Sequence, residues 1–168
     1  MKIVFVAPFG LRPKGTVSVR ALPLGQALVE RGHRVTLVVP PWDDRAAAGE
    51  SFERGGVRVV NLPVPRDARL DVPALTARLL RATLAERPAV VHCFKPKGYS
   101  GLLALAWRWL RRARVARAPL VMDTDDWEGA GGWNELAPYP GWQKRFFAWQ
   151  ERTGLAGGNA VTVASRAL

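Results

Sequence analysis

Four carboxylates fall within six residues, Asp123, Asp125, Asp126 and Glu128, in the segment Met122-Asp123-Thr124-Asp125-Asp126-Trp127-Glu128-Gly129. Charges of one sign at that spacing repel one another and resist burial, so something must offset their crowding. Arg or Lys partners, a metal, backbone donors or a substrate rich in hydroxyls would all serve. Carboxylates accept hydrogen bonds from sugar hydroxyls well, and Trp127 and Trp133 offer faces on which a sugar ring can stack. Asp123, Trp127, Glu128 and Trp133 are therefore candidates for binding such a substrate. The competing reading is helix capping and salt bridging at a strand end. Asp123-Thr124-Asp125 also spells D-x-D, a pattern through which oxygen ligands can hold a divalent cation.

Two further segments carry unusual residues. His92-Cys93-Phe94-Lys95-Pro96-Lys97-Gly98 ends a β-rich run with two lysines around a proline. Ammonium groups beside the N–H groups of a starting helix suit a phosphate, which makes Lys95 and Lys97 candidates for anion or acceptor contact. His92 and Cys93 fall inside the run and read as core residues, and a lone cysteine excludes an internal disulfide and a cysteine-based metal cluster. Pro8-Phe9-Gly10-Leu11-Arg12-Pro13-Lys14-Gly15-Thr16 follows the first run. Gly10 and Gly15 permit close backbone approach, Arg12 and Lys14 add positive charge, and Thr16 can open a helix whose N-terminus favours an anion. Neither G-x-G-x-x-G nor a P-loop is present, so the common nucleotide fingerprints are absent here.

These segments need a scaffold, and the apolar pattern supplies one. Short runs at Lys2–Ala7, Arg34–Val39, Val57–Leu62, Ala89–Phe94, Leu120–Asp123 and Ala160–Ala164 read as strands. Helical spacing is expected over Val17–Arg31, over Asp71–Arg87 with Asp71 as N-cap, over Tyr99–Val115 and over Trp142–Leu155. The Ala46–Gly56 stretch reads as a loop. Continuous β-branched runs imply strands buried on both faces, and strands separated by helices imply a parallel sheet. The expected fold is α/β, a doubly wound Rossmann-like parallel sheet in a single domain. In such sheets ligands bind outside the carboxyl ends of the strands, where all three segments lie.

Composition narrows the partners. The 168 residues carry a net charge of +11, with 48 % hydrophobic and 23 % charged residues, as in ordinary globular chains. The charge is uneven: residues 1–117 hold 21 basic and 8 acidic residues, residues 118–168 hold 4 and 6. A basic face can meet nucleic acid, anionic membrane or phosphorylated ligands. No helix-turn-helix, RNA-recognition or zinc pattern appears, which disfavours nucleic acid. In Tyr99–Arg117 no acid occurs, and Arg108, Arg111 and Arg112 beside Trp107 and Trp109 form a candidate membrane-facing surface. No apolar run reaches the roughly 18 residues of a membrane span, and the opening Met1–Pro8 is too short for a signal peptide. A cytoplasmic location is expected, with peripheral attachment to the inner face of the membrane as an extension.

Several segments carry a resemblance. Met1–Gly10 as opening strand, Gly15–His33 as glycine loop and first helix, and Leu24-Gly25-Gln26-Ala27-Leu28-Val29-Glu30-Arg31-Gly32-His33-Arg34-Val35-Thr36 resemble the N-terminal domain of family 4 (group 1) glycosyltransferases. So do Ala89-Val90-Val91-His92 and the final Gly158–Leu168, which looks like the strand and serine turn before the crossing to a second domain. The resemblance runs through residues 1–168 and implies half of a two-domain GT-B fold. It implies transfer of a sugar from a nucleotide-sugar with retained stereochemistry, no cofactor beyond that co-substrate, and no required metal, so that Asp123 and Asp125 are not read as metal ligands.

By that resemblance the chain is the acceptor side, taking a sugar or a lipid-linked acceptor, and Gly15-Thr16, with Arg12 and Lys14 beside them, face the donor diphosphate. Many relatives carry a second His two positions after the one matching His92, and another near Asp125. Here Phe94 stands at the first position, and Asp125, Asp126 and Lys95 are the expected catalytic substitutes. The C-terminal, nucleotide-sugar-binding domain is expected to be absent from this chain, which would need a separate donor-domain subunit for activity. The alternative from another class is a peripheral-membrane or phosphate-ligand module without catalysis.

Overall fold

Alternation of side chains along each strand sends successive residues to opposite sides of a sheet, and here both sides are apolar. Val4 and Val6 of β1 (Lys2–Val6) face one side, Ile3 and Phe5 the other, and all four are buried. β2 (Arg34–Val39) behaves in the same way. Two cores follow from one sheet. The computed structural model describes residues 1–65, 68–128 and 131–166, with the backbone alone for 68–71.

The remaining elements are β3 (Ser51–Arg54), β4 (Val57–Asn61), β5 (Val90–Phe94), β6 (Leu120–Thr124) and β7 (Ala160–Val163). The helices are α1 (Leu22–Glu30), α2 (Ala68–Ala85), α3 (Gly98–Arg112), the short α4 (Trp133–Leu136) and α5 (Gly141–Gly157). The sheet order is β3-β4-β2-β1-β5-β6-β7, parallel throughout except for β3 against β4. This is the expected doubly wound α/β sheet, with seven strands rather than six. α1 covers Phe5, Val35, Leu37, Val57 and Val59 on one face. On the other, Leu79 of α2 and Leu103 and Trp107 of α3 pack over Val4, Val6, Val91, Leu120 and Met122. Trp107 is fully buried, and its indole N–H donates to the Ala118 carbonyl at 3.1 Å.

Three expectations are corrected. Ala46–Gly56 is not a plain loop: β3 lies inside it and pairs antiparallel with β4, Arg54 opposite Val57. The hairpin turns on Gly55 and Gly56, both at positive φ (57° and 75°), the backbone that two-residue hairpins require. A Cβ on either would run into Gln26 or Val29 of α1, so side-chain size as well as φ restricts both positions. β3 is exposed along its whole length, which is why it leaves no apolar alternation to read. The first helix starts with a π-helical turn, Thr16–Ala21, before α1 begins. α2 starts at Ala68, ahead of the expected cap Asp71, whose side chain lies outside the described residues. Ala167 and Leu168, the end of the expected serine turn, also lie outside them.

Trp107 ties α3 to the sheet by volume and by one buried hydrogen bond. Replacing it with Ala should destabilise the domain by about 3–5 kcal/mol, and with Phe by less, as measured by urea denaturation.

Candidate functional site

The sheet changes direction between β1 and β5: the chain leaves β1 for β2 on one side and later returns to β5 on the other. At such a switch point the two connecting loops diverge and leave a crevice beyond the carboxyl ends of the strands. The loops after β1, β5 and β6 meet there, and they hold the three segments singled out above.

The floor is an ionic pillar. Asp123, fully buried at the end of β6, accepts two parallel hydrogen bonds from Arg20, Nε to Oδ1 and Nη2 to Oδ2, both 2.7 Å. The Thr162 hydroxyl of β7 donates to Oδ2 at 2.5 Å. Since that proton goes to Asp123, the Thr162 oxygen is left to accept from His92 Nε2 at 3.1 Å. His92 stacks on Phe94, with ring centroids 4.6 Å apart, and meets the edge of Phe5. Burial pushes the His92 pKa down to about 4; the nearby Asp123 charge opposes this and Arg20 adds to it. The imidazole is therefore neutral at physiological pH. Arg20 is held in its charged form by the hydrogen bond to Asp123 against the cost of burial. It reaches Asp123 because the π-helical turn places Thr16 and Arg20 along the crevice.

Above the pillar stands a second cluster. Lys95 adopts a left-handed backbone (φ 50°), uncommon for a residue with a Cβ. Its ammonium lies 2.6 Å from Asp126, 3.2 Å from Glu128 and 3.4 Å from Asp125. Burial disfavours the ammonium, but the hydrogen bond to Asp126 and the charges of Asp125, Glu128 and Asp126 outweigh it, and the pKa rises above the usual lysine value. Lys97 meets the other oxygen of Glu128 at 2.6 Å. Thr16 donates to Asp125 Oδ2 at 2.9 Å, while Asp125 Oδ1 is buried with no hydrogen-bond partner among the described residues. The loop carrying both lysines is tied down. Ser100 donates to the Lys95 carbonyl, and Gln150 of α5 accepts from Gly98 N at 2.9 Å.

Two clefts open on this framework. One, of about 770 Å³, has Lys14, Lys95, Lys97, Asp126 and Glu128 at its polar end, and aromatic side chains from four parts of the chain line the rest: Phe9, Trp42, Tyr99, Trp133, Tyr139, Trp142, Phe146 and Phe147. The other, of about 670 Å³, is shallower and is bordered by Val19, Arg20, Leu24, Asp125, Thr162 and Ala164. Gly15 and Thr16 line both and form the ridge between them.

Comparison with known proteins gives this arrangement a family. The sequence profile described as "Glycosyl transferase 4-like domain" matches residues 15–168. The chain belongs to this family. No curated protein sequence matches it significantly. Among solved structures it is similar to sucrose-phosphate synthase from Thermosynechococcus elongatus, with 14 % identity and a TM-score of 0.58, over 99 % of this chain and 78 % of that one. It is also similar to a UGT transferase from Siraitia grosvenorii solved in complex with UDP, with 13 % identity and a TM-score of 0.53, over 97 % of this chain. The domain spans 44 % of that second chain's length. These likenesses establish the fold, the Rossmann-like half of GT-B glycosyltransferases.

The glycosyltransferase-like domain brings together most of the residues singled out in its sequence. Lys95, Lys97, Asp125, Asp126 and Glu128 share one cluster; Lys14, Gly15, Thr16 and Trp133 line the same aromatic cleft. Asp123 lines the shallower cleft but is fully buried, with both its oxygens occupied by Arg20 and Thr162. Arg12 is exposed, and Trp127, also exposed, is not among the lining residues of either cleft. Arg108 donates to the Thr153 carbonyl and Arg111 to Asn159, so these guanidinium groups hold α3 against α5 and the approach to β7. Arg112 lies over Trp109. Among the described residues no group of three or more His, Cys, Asp or Glu could hold a metal ion.

Arg20, Thr162, Ser100 and Gln150 were not singled out from sequence. Thr162 had a legible signal, a single hydroxyl in an otherwise apolar strand; Arg20 and Gln150 look like ordinary helix-surface residues until the helices are docked.

His92 yields a pH test. Its folded pKa lies below the unfolded value of 6.5, so its favourable contribution is complete above pH 6.5 and is lost as pH falls toward 4, where the unfolded chain binds the extra proton. That loss should reach roughly 3 kcal/mol by pH 4. Denaturation midpoints of the protein and of His92→Gln, followed from pH 7 to pH 4, should diverge accordingly.

Proposed function

We propose that this domain is the acceptor-binding half of a retaining glycosyltransferase that moves a sugar from a nucleotide-sugar to a lipid or glycan acceptor. The observation that carries the reading is the Gly15–Thr16 ridge: it separates two clefts at the switch point of the sheet and holds Asp125 by a hydrogen bond. Two substrates that must meet need such a shared wall. The aromatic cleft suits the acceptor. The shallower cleft beside Arg20 and the ridge suits the diphosphate end of a donor, with the ridge backbone at the start of the helical turn as its anion-facing element.

Asp126 is the carboxylate best placed to accept a hydrogen bond from an acceptor hydroxyl. It borders the aromatic cleft, and its side chain is 38 % exposed. Lys95 lies against Asp125, Asp126 and Glu128, whose oxygens are hydrogen-bond acceptors. Asp125, whose buried Oδ1 has Lys95 at 3.4 Å and no hydrogen-bond partner among the described residues, is the second such group. A retaining transferase must also stabilise negative charge on the departing diphosphate. Among the described residues lining the shallower cleft, Arg20 is the one cation, and it is already paired with Asp123, so efficient transfer requires a donor-binding domain or subunit to complete the site. Nucleotide-sugar is the co-substrate, and no metal or further cofactor is invoked.

The purified 168-residue chain should therefore turn over negligibly with nucleotide-sugars and acceptors, and activity should appear only with a donor-binding partner. In the completed enzyme, Asp126→Asn should lower transfer by roughly 10²-fold or more, and Lys95→Met should do the same while shifting the pH profile. Robust transfer by the chain alone would overturn the half-site reading.

A second reading concerns location. Among the described residues no helix is long and apolar enough to cross a membrane. Trp109, 68 % exposed with Arg112 over its ring, and exposed Val115 favour attachment of α3 to an anionic membrane surface from the cytoplasmic side. Co-sedimentation with anionic liposomes should be lost in Trp109→Ala and Arg112→Ala; retention in both variants would remove this helix from consideration.

A further inference from the structure

We propose that the outward face of α5 is a binding track for a linear acidic polysaccharide, with one indole and one guanidinium set against each disaccharide. The track goes beyond the acceptor reading above. Of its residues Trp142, Arg145, Trp149 and Arg152, only Trp142 also lines a cleft.

The repeat of the helix decides the kind of ligand. All four residues are exposed along α5. At 3.6 residues per turn, Trp149 falls about 20° round the helix from Trp142, and Arg152 falls about 20° from Arg145. The result is two parallel rows about 60° apart, one of indoles and one of guanidinium groups. Within each row the step is seven residues, an advance of about 10.5 Å, which is about the length of one disaccharide in an extended, equatorially linked polysaccharide. A sugar ring can stack its C–H face on each indole while a carboxylate on every second ring meets the adjacent guanidinium.

Both rows are open to a ligand. Trp142 is 71 % and Trp149 42 % exposed. Neither Arg145 nor Arg152 has a carboxylate in ion-pair contact among the described residues. The acid of this helix, Glu151, is buried on the side opposite Trp142, where it accepts from Glu128 N at 3.3 Å. Trp149 is also held in place: Phe146 stacks on it, with ring centroids 5.8 Å apart and planes inclined by 26°. One face of that indole is covered, and the other serves as a platform. A ring stacked on its neighbour is less free to swing out as a wedge into lipid, and the Arg row shares the exposed strip. Sinking the indoles into hydrocarbon would carry both charges with them, which disfavours a membrane as the occupant. A polymer lying on the track reaches the mouth of the aromatic cleft at Trp142, and this second hold raises the local concentration of its end there.

Isothermal titration of the 168-residue chain with hyaluronan hexasaccharide, cellohexaose and hexaglutamate tests this. The first carries one carboxylate per disaccharide, the second has the same number of rings without charge, and the third has charge without rings. The hyaluronan fragment should bind about tenfold more tightly than either of the others. Arg145→Gln and Arg152→Gln should each lower its affinity toward that of cellohexaose and leave cellohexaose unchanged. Trp149→Ala should weaken both sugars about tenfold, whereas Trp109→Ala, at an exposed indole of α3, should weaken neither. Circular dichroism confirms that the variants are folded. Hexaglutamate binding as tightly as the hyaluronan fragment, an unaffected Trp149→Ala or Arg152→Gln, an equal loss in Trp109→Ala, or no binding of either sugar would overturn the track. Capture by phosphatidylglycerol vesicles that is lost in Trp149→Ala, with no sugar bound, would assign the face to a membrane instead. No donor sugar or turnover enters the measurement, so its failure leaves the transferase reading untouched.

Discussion

Carboxylates crowded at the end of one buried strand set the terms for everything around them. At this spacing the charges of Asp123, Asp125, Asp126 and Glu128 repel one another, and cations and donors reach them from elsewhere in the chain. Arg20 comes from the helical turn after β1, Lys95 and Lys97 from the loop after β5, Thr16 from the ridge and Thr162 from β7. Each contact joins two elements that are remote in sequence. The cluster therefore ties together the three loops that form the crevice.

The division into two clefts follows from that arrangement. The helical turn starts at Thr16, which lines both clefts and is held to Asp125. Its π-helical geometry is wider than an α-helical turn and is frequent at functional sites. On one side of the ridge the pillar of Arg20, Asp123, Thr162 and neutral His92 forms a firm base. On the other, α4 and the start of α5 bring aromatic side chains to the cleft that holds Lys95 and Lys97. The tight fit of α5 is visible at Gly154, where a Cβ would come within 2.8 Å of Pro96. Phe94 is buried and stacked on His92, so that position serves the packing of the pillar.

Much of the scaffold was legible because burial on both faces requires continuous apolar runs, as in Lys2–Val6, Arg34–Val39 and Val90–Phe94, while Val57–Asn61 and the largely exposed Ala160–Val163 read as strands by their β-branched residues. β3 was missed because an exposed edge strand needs no apolar residues; its signal was the Gly55-Gly56 pair, which marks a hairpin. The four-residue α4 is too short to show a period. At the site, the lysines and carboxylates stood out because their charges are adjacent in sequence and their crowding demands an explanation. Their pairing did not, because it depends on which oxygen faces which loop.

The sequence by itself determined the sheet, the place of the three chemistry-bearing segments at its carboxyl edge and the need for cations beside Asp123–Glu128. These follow from periodicity, turn residues and the repulsion of like charges, all of which act over short stretches of chain. Only the tertiary structure decided that Asp123 is a buried anchor while Asp126 borders the aromatic cleft, that Arg108 and Arg111 brace α3, and that Lys14 lies over the Phe9 and Trp42 rings. Those outcomes rest on burial and on distances between residues far apart in the chain, which local sequence does not encode.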